Sequence, residues 1–568
     1  MFKNLFSIGQ NFKSYTLVLI ICLPAVTWAQ TVAEGKQGAV ASRSMLASQV
    51  GLDIMKNGGS AVDAAVAVGF ALAVTYPSAG NLGGGGFMML HTESGEVLAL
   101  DFRETAPGLA SKNMFLDDAG SVVKGLSIET HLAAGVPGSV AGLLDALEKH
   151  GTLSRQQVLA PAIKLAEEGF PLPSDIAEQF SKHQKEFQKH PASARSFMNQ
   201  NKTYQAGEIW KQADLANTLK LIAQHGRDGF YKGKVAELIV AEMGRGNGRI
   251  SHKDLSGYEP VWREPIRGTY RSFDIWGMPP PSSGGILVQQ MLNMLEPYTL
   301  DKSRRNREET IHLMVEAERR AYADRAEYLG DPDHYPVPVK KLQDKAYAKQ
   351  RFSDFNAQYA SDSEAIGPGK WPEESRETTH YSVMDAKGNA VSVTTTLNTA
   401  YGNKIVVAGA GFLLNNEMDD FSIKPGVANT YGLLGNEANA IAPNKRMLSS
   451  MSPTIVTLDD KPLLVTGSPG GSTIITTTLQ VLVNVLDHQM TLASAVKSPR
   501  FHHQWKPNKI FYEPGALNET EISALKNKKH VGIVPSPWKI GDANSVIRRN
   551  RGFISVSDPR NMGGALAY

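Results

Sequence analysis

The run Thr378-Thr379-His380-Tyr381-Ser382-Val383, followed by Asp385, Gly388-Asn389 and Val391-Ser392-Val393-Thr394-Thr395-Thr396-Leu397-Asn398, decides how this chain is read. Its β-branched residues form two strand-like segments about a Gly-Asn turn signal, the pattern of a hairpin. It follows directly on the polar run Trp371 to Glu377. A threonine at a chain start is a self-contained catalyst, because its hydroxyl is the nucleophile and its own α-amine is the base. Such an amine titrates near ~8, close to where a general base works best. Thr378 is internal, so this chemistry requires a cut between Glu377 and Thr378. The same hydroxyl can make that cut by attacking the carbonyl of Glu377, giving an ester that water opens. On pattern alone, Thr378 and Thr379 are β-formers in a strand, and the cut is an added requirement.

The 568 residues exceed what one ordinary core holds. Hydrophobic residues at 42% and charged residues at 20% fit a soluble globular protein. A net charge of +3 makes no electrostatic case for nucleic acid or acidic membranes. At the N-terminus, Lys3 and Lys13 flank an apolar run from Tyr15 to Trp28 that ends in Thr27-Trp28-Ala29. This is the layout of an export signal, residues 1–29, cleaved after Ala29 to leave Gln30 first, with a periplasmic or secreted product. The alternative is an uncleaved anchor, for which the run is short. Cys22, the single cysteine, lies in that segment. Cysteine nucleophiles, zinc–thiolate sites and iron–sulfur clusters are thereby excluded. His502-His503 lack a partner at metal spacing, and no metal or organic cofactor is expected.

Ser60-Ala-Val-Asp63 reads as a capping box opening a helix toward Val74, ended by Pro77. Phe87 to His91 and Glu96 to Phe102 read as paired strands, residues 139–250 as mostly helical, and 304–360 as a highly charged, solvated helical layer. Residues 361–377 read as a linker. Beyond them, Met451 to Leu458 and Leu463 to Thr466 form a second strand pair, with a helix from Ile474 to Val485 packed on it. Two strand pairs with helices outside agree with sheets packed between helical layers.

The hairpin resembles the start of the small subunit of the γ-glutamyltranspeptidases (glutathione hydrolases), N-terminal-nucleophile enzymes made as self-cleaving precursors. Further segments carry the resemblance in the family's order: Asn81-Leu-Gly-Gly-Gly-Gly-Phe87, Asp101-Phe-Arg103, Pro280-Pro-Ser-Ser-Gly-Gly285, Leu414-Asn-Asn-Glu-Met-Asp-Asp-Phe421, Leu448-Ser-Ser-Met-Ser-Pro-Thr454 and Gly467-Ser-Pro-Gly-Gly471. The resemblance implies an α+β fold, a four-layer αββα sandwich built jointly by a large subunit, 30–377, and a small catalytic subunit, 378–568.

The resemblance also implies the site. Thr378 is the nucleophile, and Thr396 hydrogen-bonds it from across the hairpin; a stabilising cross-strand Thr pair is the plainer reading. Gly470 and Gly471 offer backbone N–H groups to an oxyanion. Arg103, with Ser449 and Ser450, holds the α-carboxylate of a glutamyl group, and Asp420, with Asn398 and Glu417, holds its α-ammonium. Taken singly, Arg103 reads as a surface ion-pair residue and Asp419-Asp420 as a solvated turn. Tyr431 aligns with a lid tyrosine, among glycines at 426, 432 and 435. His380 is assigned to the sheet face opposite the nucleophile and given no role.

The implied activity is γ-glutamyl transfer from glutathione or another γ-glutamyl compound to water, an amino acid or a dipeptide. Two rivals stand beside it: an acylase of the same superfamily acting on glutaryl or β-lactam side chains, and a non-catalytic exported binding protein for amino-acid or γ-glutamyl ligands. A nucleotide-binding reading of the glycine loops is a distant further one, since Gly467-Ser-Pro-Gly-Gly-Ser-Thr lacks a Walker lysine.

Overall fold

The computed structural model describes residues 31–366, 378–424 and 436–568. The segment read as an export signal, with Cys22, and the residues read as cleavage site and lid, Glu377 and Tyr431, lie outside the described residues. Fourteen strands make the two main sheets: β1 (Val32–Gly35), β2 (Gly38–Ser42), β3 (Gly85–His91), β4 (Val97–Phe102), β5 (Val261–Arg263), β6 (Ile266–Tyr270), β7 (Phe273–Gly277), β8 (Thr379–Asp385), β9 (Ala390–Thr396), β10 (Thr454–Leu458), β11 (Lys461–Thr466), β12 (Ser545–Arg549), β13 (Gly552–Val556) and β14 (Gly564–Ala567). One sheet runs β14-β2-β8-β9-β3-β4-β5 and the other β1-β13-β12-β11-β10-β7-β6. Each draws strands from both sides of position 377, so neither half of the chain completes a sheet alone.

Three apolar layers separate four structural ones. The first sheet packs its outer face, including Tyr381, Val383, Val391 and Val393, on helices α1 (Met45–Lys56), α2 (Ala61–Thr75) and α3 (Ser139–His150). The second sheet packs on α4 (Gly284–Leu295), α5 (Glu308–Tyr328) and α6 (Thr473–Leu486). Between the sheets lie Phe87, Met89, Met384, Ile455 and Val465. The expected αββα sandwich is therefore present.

Helix α2 starts where the capping box predicts. The Ser60 hydroxyl accepts the Asp63 N–H, and the Asp63 carboxylate accepts the Ser60 N–H. Every residue of α2 is buried. Its alanines let it lie close to β8, where Gly69 sits under the Tyr381 ring hydroxyl.

Helix α5 corrects the reading of 304–360 as solvated. Residues Thr310 to Ala326 are buried despite their charges. Glu316 lies between Arg319 (3.1 Å) and Arg320 (2.7 Å), Arg320 reaches Asp354 (2.8 Å), and Asp324 is held by Arg351 (3.0 Å) and Gln290. Burial pushes the Glu316 carboxyl up, but the two guanidiniums outweigh it and hold its pKa at about 2. The charges are satisfied by one another, which is what allows charged groups inside a protein.

The placement of His380 is also corrected. Side chains alternate faces with period two, so residues two apart share a face. His380 therefore sits on the face of Thr378. It lies between the sheets, hydrogen-bonded to Thr394 Oγ1 (3.0 Å) and Ser382 Oγ (3.1 Å). It packs on Gly467, where a Cβ would fall 2.6 Å from its ring.

One group among the described residues gathers metal-type ligands: His312, Glu316 and His530. It is closed by hydrogen bonds. His312 Nε2 meets the Asn356 carbonyl at 2.8 Å and must donate to it, so Nδ1 accepts from His530 Nε2 at 2.7 Å.

Burial drives the pKa of His380 and of His530 down to about 3, with His312 adding to the effect at His530. The unfolded chain takes up these protons near pH 6.5, whereas the folded chain refuses them until about pH 3. Their contribution to stability is complete above about pH 6.5 and declines as pH falls below it. Each histidine contributes a slope of up to about 1.4 kcal/mol per pH unit. Guanidinium midpoints measured from pH 7.5 down to 4.5 should fall steadily; His530→Gln should flatten that slope.

Candidate active site

The antiparallel ladder pairs Thr379 with Thr395 and His380 with Thr394. One further step in this register sets Thr378, the residue just before β8, opposite Thr396 at the end of β9. Both are buried. Thr396 is fixed from several directions. Its hydroxyl accepts the Asn398 N–H (2.8 Å) and lies close to the Glu417 carboxyl, and its carbonyl accepts Asn81 Nδ2 (2.8 Å). Asn398 turns the chain with φ +76° and donates its amide to the Asn416 carbonyl (2.9 Å).

The glycine turn leaves β11 at the same end. Ser392 Oγ of β9 donates to the Thr466 carbonyl (3.1 Å), and Gly467 follows against His380. Gly470 has φ +128°, and a Cβ there would fall 2.4 Å from Thr473 Oγ1. Gly471 has φ +56°. Both conformations favour glycine.

Arg103, just past β4, is buried at 1% exposure. Its Nη1 is 2.7 Å from Glu417 and 3.6 Å from Glu104, and its Nη2 is 2.5 Å from Asp420. The plainer reading of Arg103 as a surface ion-pair residue does not hold, since the guanidinium is an interior cation among three carboxyls. Burial works against the Arg103 charge, but Glu417, Asp420 and Glu104 outweigh it and push its pKa above the usual value. Burial raises all three carboxyls, only partly offset by Arg103, and takes Glu104 to about 8.

Ser449 and Ser450 follow the carbonyls of Met447 and Leu448, which face the Arg103 guanidinium at 3.4 and 3.5 Å. Ser449 is strapped to the Pro280–Gly285 segment through Ser283, whose hydroxyl donates to its carbonyl (2.7 Å). The Ser450 hydroxyl accepts Arg325 Nη2 (3.2 Å). The structure therefore brings Thr396, Glu417, Asp420 and Arg103 into one connected set, with Ser449 and Ser450 beside it.

Sequence reasoning missed three contributors. Asn81, quoted within a glycine motif, ties the β9 end to the loop before β3: its Oδ1 accepts the Ser139 hydroxyl (2.6 Å) and the Gly84 N–H (3.0 Å). Arg325 was hidden by the solvated reading of α5. Asn439 accepts the Leu448 N–H and donates to the Asp420 carbonyl (2.7 Å), joining two motifs. Asn81 stood in a quoted motif and Arg325 in a charge-rich helix; neither signal specified a contact.

A four-layer αββα sandwich with a threonine heading an inner strand is the architecture of the N-terminal-nucleophile hydrolases. The structure resembles a cephalosporin acylase from Bacillus halodurans with TM-score 0.83, 26% identity and 99% of both chains covered. It matches a Helicobacter pylori gamma-glutamyltranspeptidase structure at 47% identity and TM-score 0.56, over 57% of this chain and 93% of that one. In sequence it is 49% identical over 531 residues to the glutathione hydrolase proenzyme of Escherichia coli, covering 93% of this chain and 91% of that protein. The Gamma-glutamyltranspeptidase family profile matches residues 47–568. The chain belongs to the γ-glutamyltranspeptidase family.

Replacing Arg103 with Leu strands Glu417 and Asp420 as buried carboxyls without their counter-charge. Breaking a buried pair in this way costs about 3–5 kcal/mol. The Arg103→Leu protein should unfold at a markedly lower guanidinium concentration at pH 7.

Proposed function

We propose that this chain is an exported precursor with a leader of residues 1–29 that cuts itself between Glu377 and Thr378. The products are a large fragment, 30–377, and a small one, 378–568, which stay together as a γ-glutamyltransferase and glutathione hydrolase. The observation that carries this reading is the register that puts Thr378 opposite Thr396, whose hydroxyl reaches the same Glu417 that Arg103 holds.

In this mechanism the freed α-amine of Thr378 takes the proton of its own hydroxyl, and the oxygen attacks the γ-carbonyl carbon of glutathione. The Gly470 and Gly471 N–H groups receive the charge that develops on the carbonyl oxygen, and Thr396 orients the nucleophile. The C–N bond breaks, the amine returns the proton to the leaving nitrogen, and cysteinylglycine departs. The γ-glutamyl ester left on Thr378 is opened by water, or by the amine of an amino acid or dipeptide. No metal or organic cofactor takes part.

Charge sets the donor specificity. The α-ammonium of the donor is received at Asp420, with Asn398 and Glu417. The α-carboxylate of the donor is received by Arg103, Ser449 and Ser450. With both α-groups held, only the side-chain carbonyl is left to reach Thr378. By motif order, Tyr431 takes the part of the lid tyrosine.

The likeness to a cephalosporin acylase supports a second reading, hydrolysis of glutaryl amides, which lack the α-ammonium. Asp420→Asn should lower kcat/KM on a γ-glutamyl anilide by about a hundredfold or more, the loss of one charge-assisted contact. It should leave any glutaryl-anilide rate unchanged; wild-type preference for the glutaryl compound would instead select the acylase. Thr378→Ala should run as one uncut band on denaturing electrophoresis and show no turnover. Two normal fragments from that variant would remove Thr378 from the cutting step, and a single band from active wild type would favour a binding protein.

A further inference from the structure

We propose that the end of the sandwich opposite the catalytic threonine is a docking surface for a membrane of anionic phospholipid. The balanced composition, 59 basic against 56 acidic residues, conceals a local imbalance there. Lys36, Lys461, Arg548, Arg549 and Arg551 line one surface groove of about 830 Å³, and no carboxylate lines it. Among the described residues none of these five has an ion-pair partner, whereas buried arginines elsewhere are matched to carboxylates. Four are exposed and Arg548 is half-buried. Asp459 and Asp460, on the β10–β11 turn, do not form part of the lining.

The fold gathers these charges from separate turns. Lys36 stands between β1 and β2, Lys461 opens β11, and the arginines surround the β12–β13 turn. The β8–β9 turn joins them through Ala386, whose N–H donates to the Gln37 carbonyl (2.8 Å). The floor is apolar: Pro462 and Phe553 are buried, Leu463 is half-buried, and Leu458 is 36% exposed. Cations ringed around apolar side chains match the boundary of a bilayer, where phosphates overlie acyl carbon. A polyanion in solution would match the charges but not the floor.

The position has a functional sense. Strand β8 separates Thr378 from Ala386 at the groove, and eight steps at extended spacing put them roughly 27 Å apart. Strand β11 likewise begins at the groove with Lys461 and ends at Thr466, just before Gly467. A protein resting on this end would hold its catalytic end away from the lipid.

The test is cosedimentation of the processed protein with vesicles of phosphatidylglycerol and phosphatidylcholine, with pure phosphatidylcholine beside them. Binding is expected only to the anionic vesicles and should be reversed by salt. At roughly fivefold per cation, Lys36→Gln, Arg549→Gln and Arg551→Gln together should weaken partition on the order of a hundredfold. The kinetics of glutathione hydrolysis should be unchanged in that variant, which also confirms its fold. Lys182→Gln, Lys185→Gln and Lys189→Gln remove the same charge from an exposed surface elsewhere and should leave binding intact. The proposal is overturned by equal loss in that control, by undiminished binding of the first variant, or by binding to pure phosphatidylcholine. Capture of inorganic polyphosphate without vesicle binding would overturn it too.

Discussion

The structure depends on the hydrogen-bond ladder that holds β8 as an inner strand. It is paired with β2 on one side through Ser382 to Asp385, and with β9 on the other through Thr379 to Met384. Strand β9 is locked in turn against β3. None of these bonds passes through the peptide between residues 377 and 378. A cut there frees one end of a strand that the sheet continues to hold. This is the physical condition for a nucleophile made by breaking its own backbone, since catalytic groups need positions fixed to within a fraction of an ångström.

The second constraint is electrostatic. A buried ion pair is weak grounds for stability, because desolvation offsets most of the attraction. The Arg103 cluster goes further, with three carboxyls around a single guanidinium. The raised carboxyl pKa values have one leading cause, burial, which the Arg103 charge offsets only in part.

Much of the fold was legible because its signals are local. The hairpin around Gly388-Asn389, the Ser60–Asp63 capping box and the helix after the glycine turn each declare themselves within a few residues. The site residues were legible through motif order, but not their geometry. No spacing rule joins Arg103 to Asp420, and the ion pair between them exists only through the sheets. Helix α5 misled because charge in a sequence looks like a solvated surface. Its partners Asp354, Arg351 and Gln290 lie on other segments, and a single chain read in order does not reveal them. His380 was misassigned by applying alternation to a residue two positions away. The near-neutral total likewise hid the basic groove, since a sum carries no information about place.

The contact between Gly467 and His380 has a bearing on how such proteins diverge. The imidazole occupies the volume that any side chain at 467 would need, and the obstruction is ring rather than backbone. The two positions therefore share one space, although they lie on different sheets. A lineage that abandons glycine at 467 has to shrink residue 380 in the same step or soon after. Paired change at these two sites across relatives would be the historical trace of that crowding.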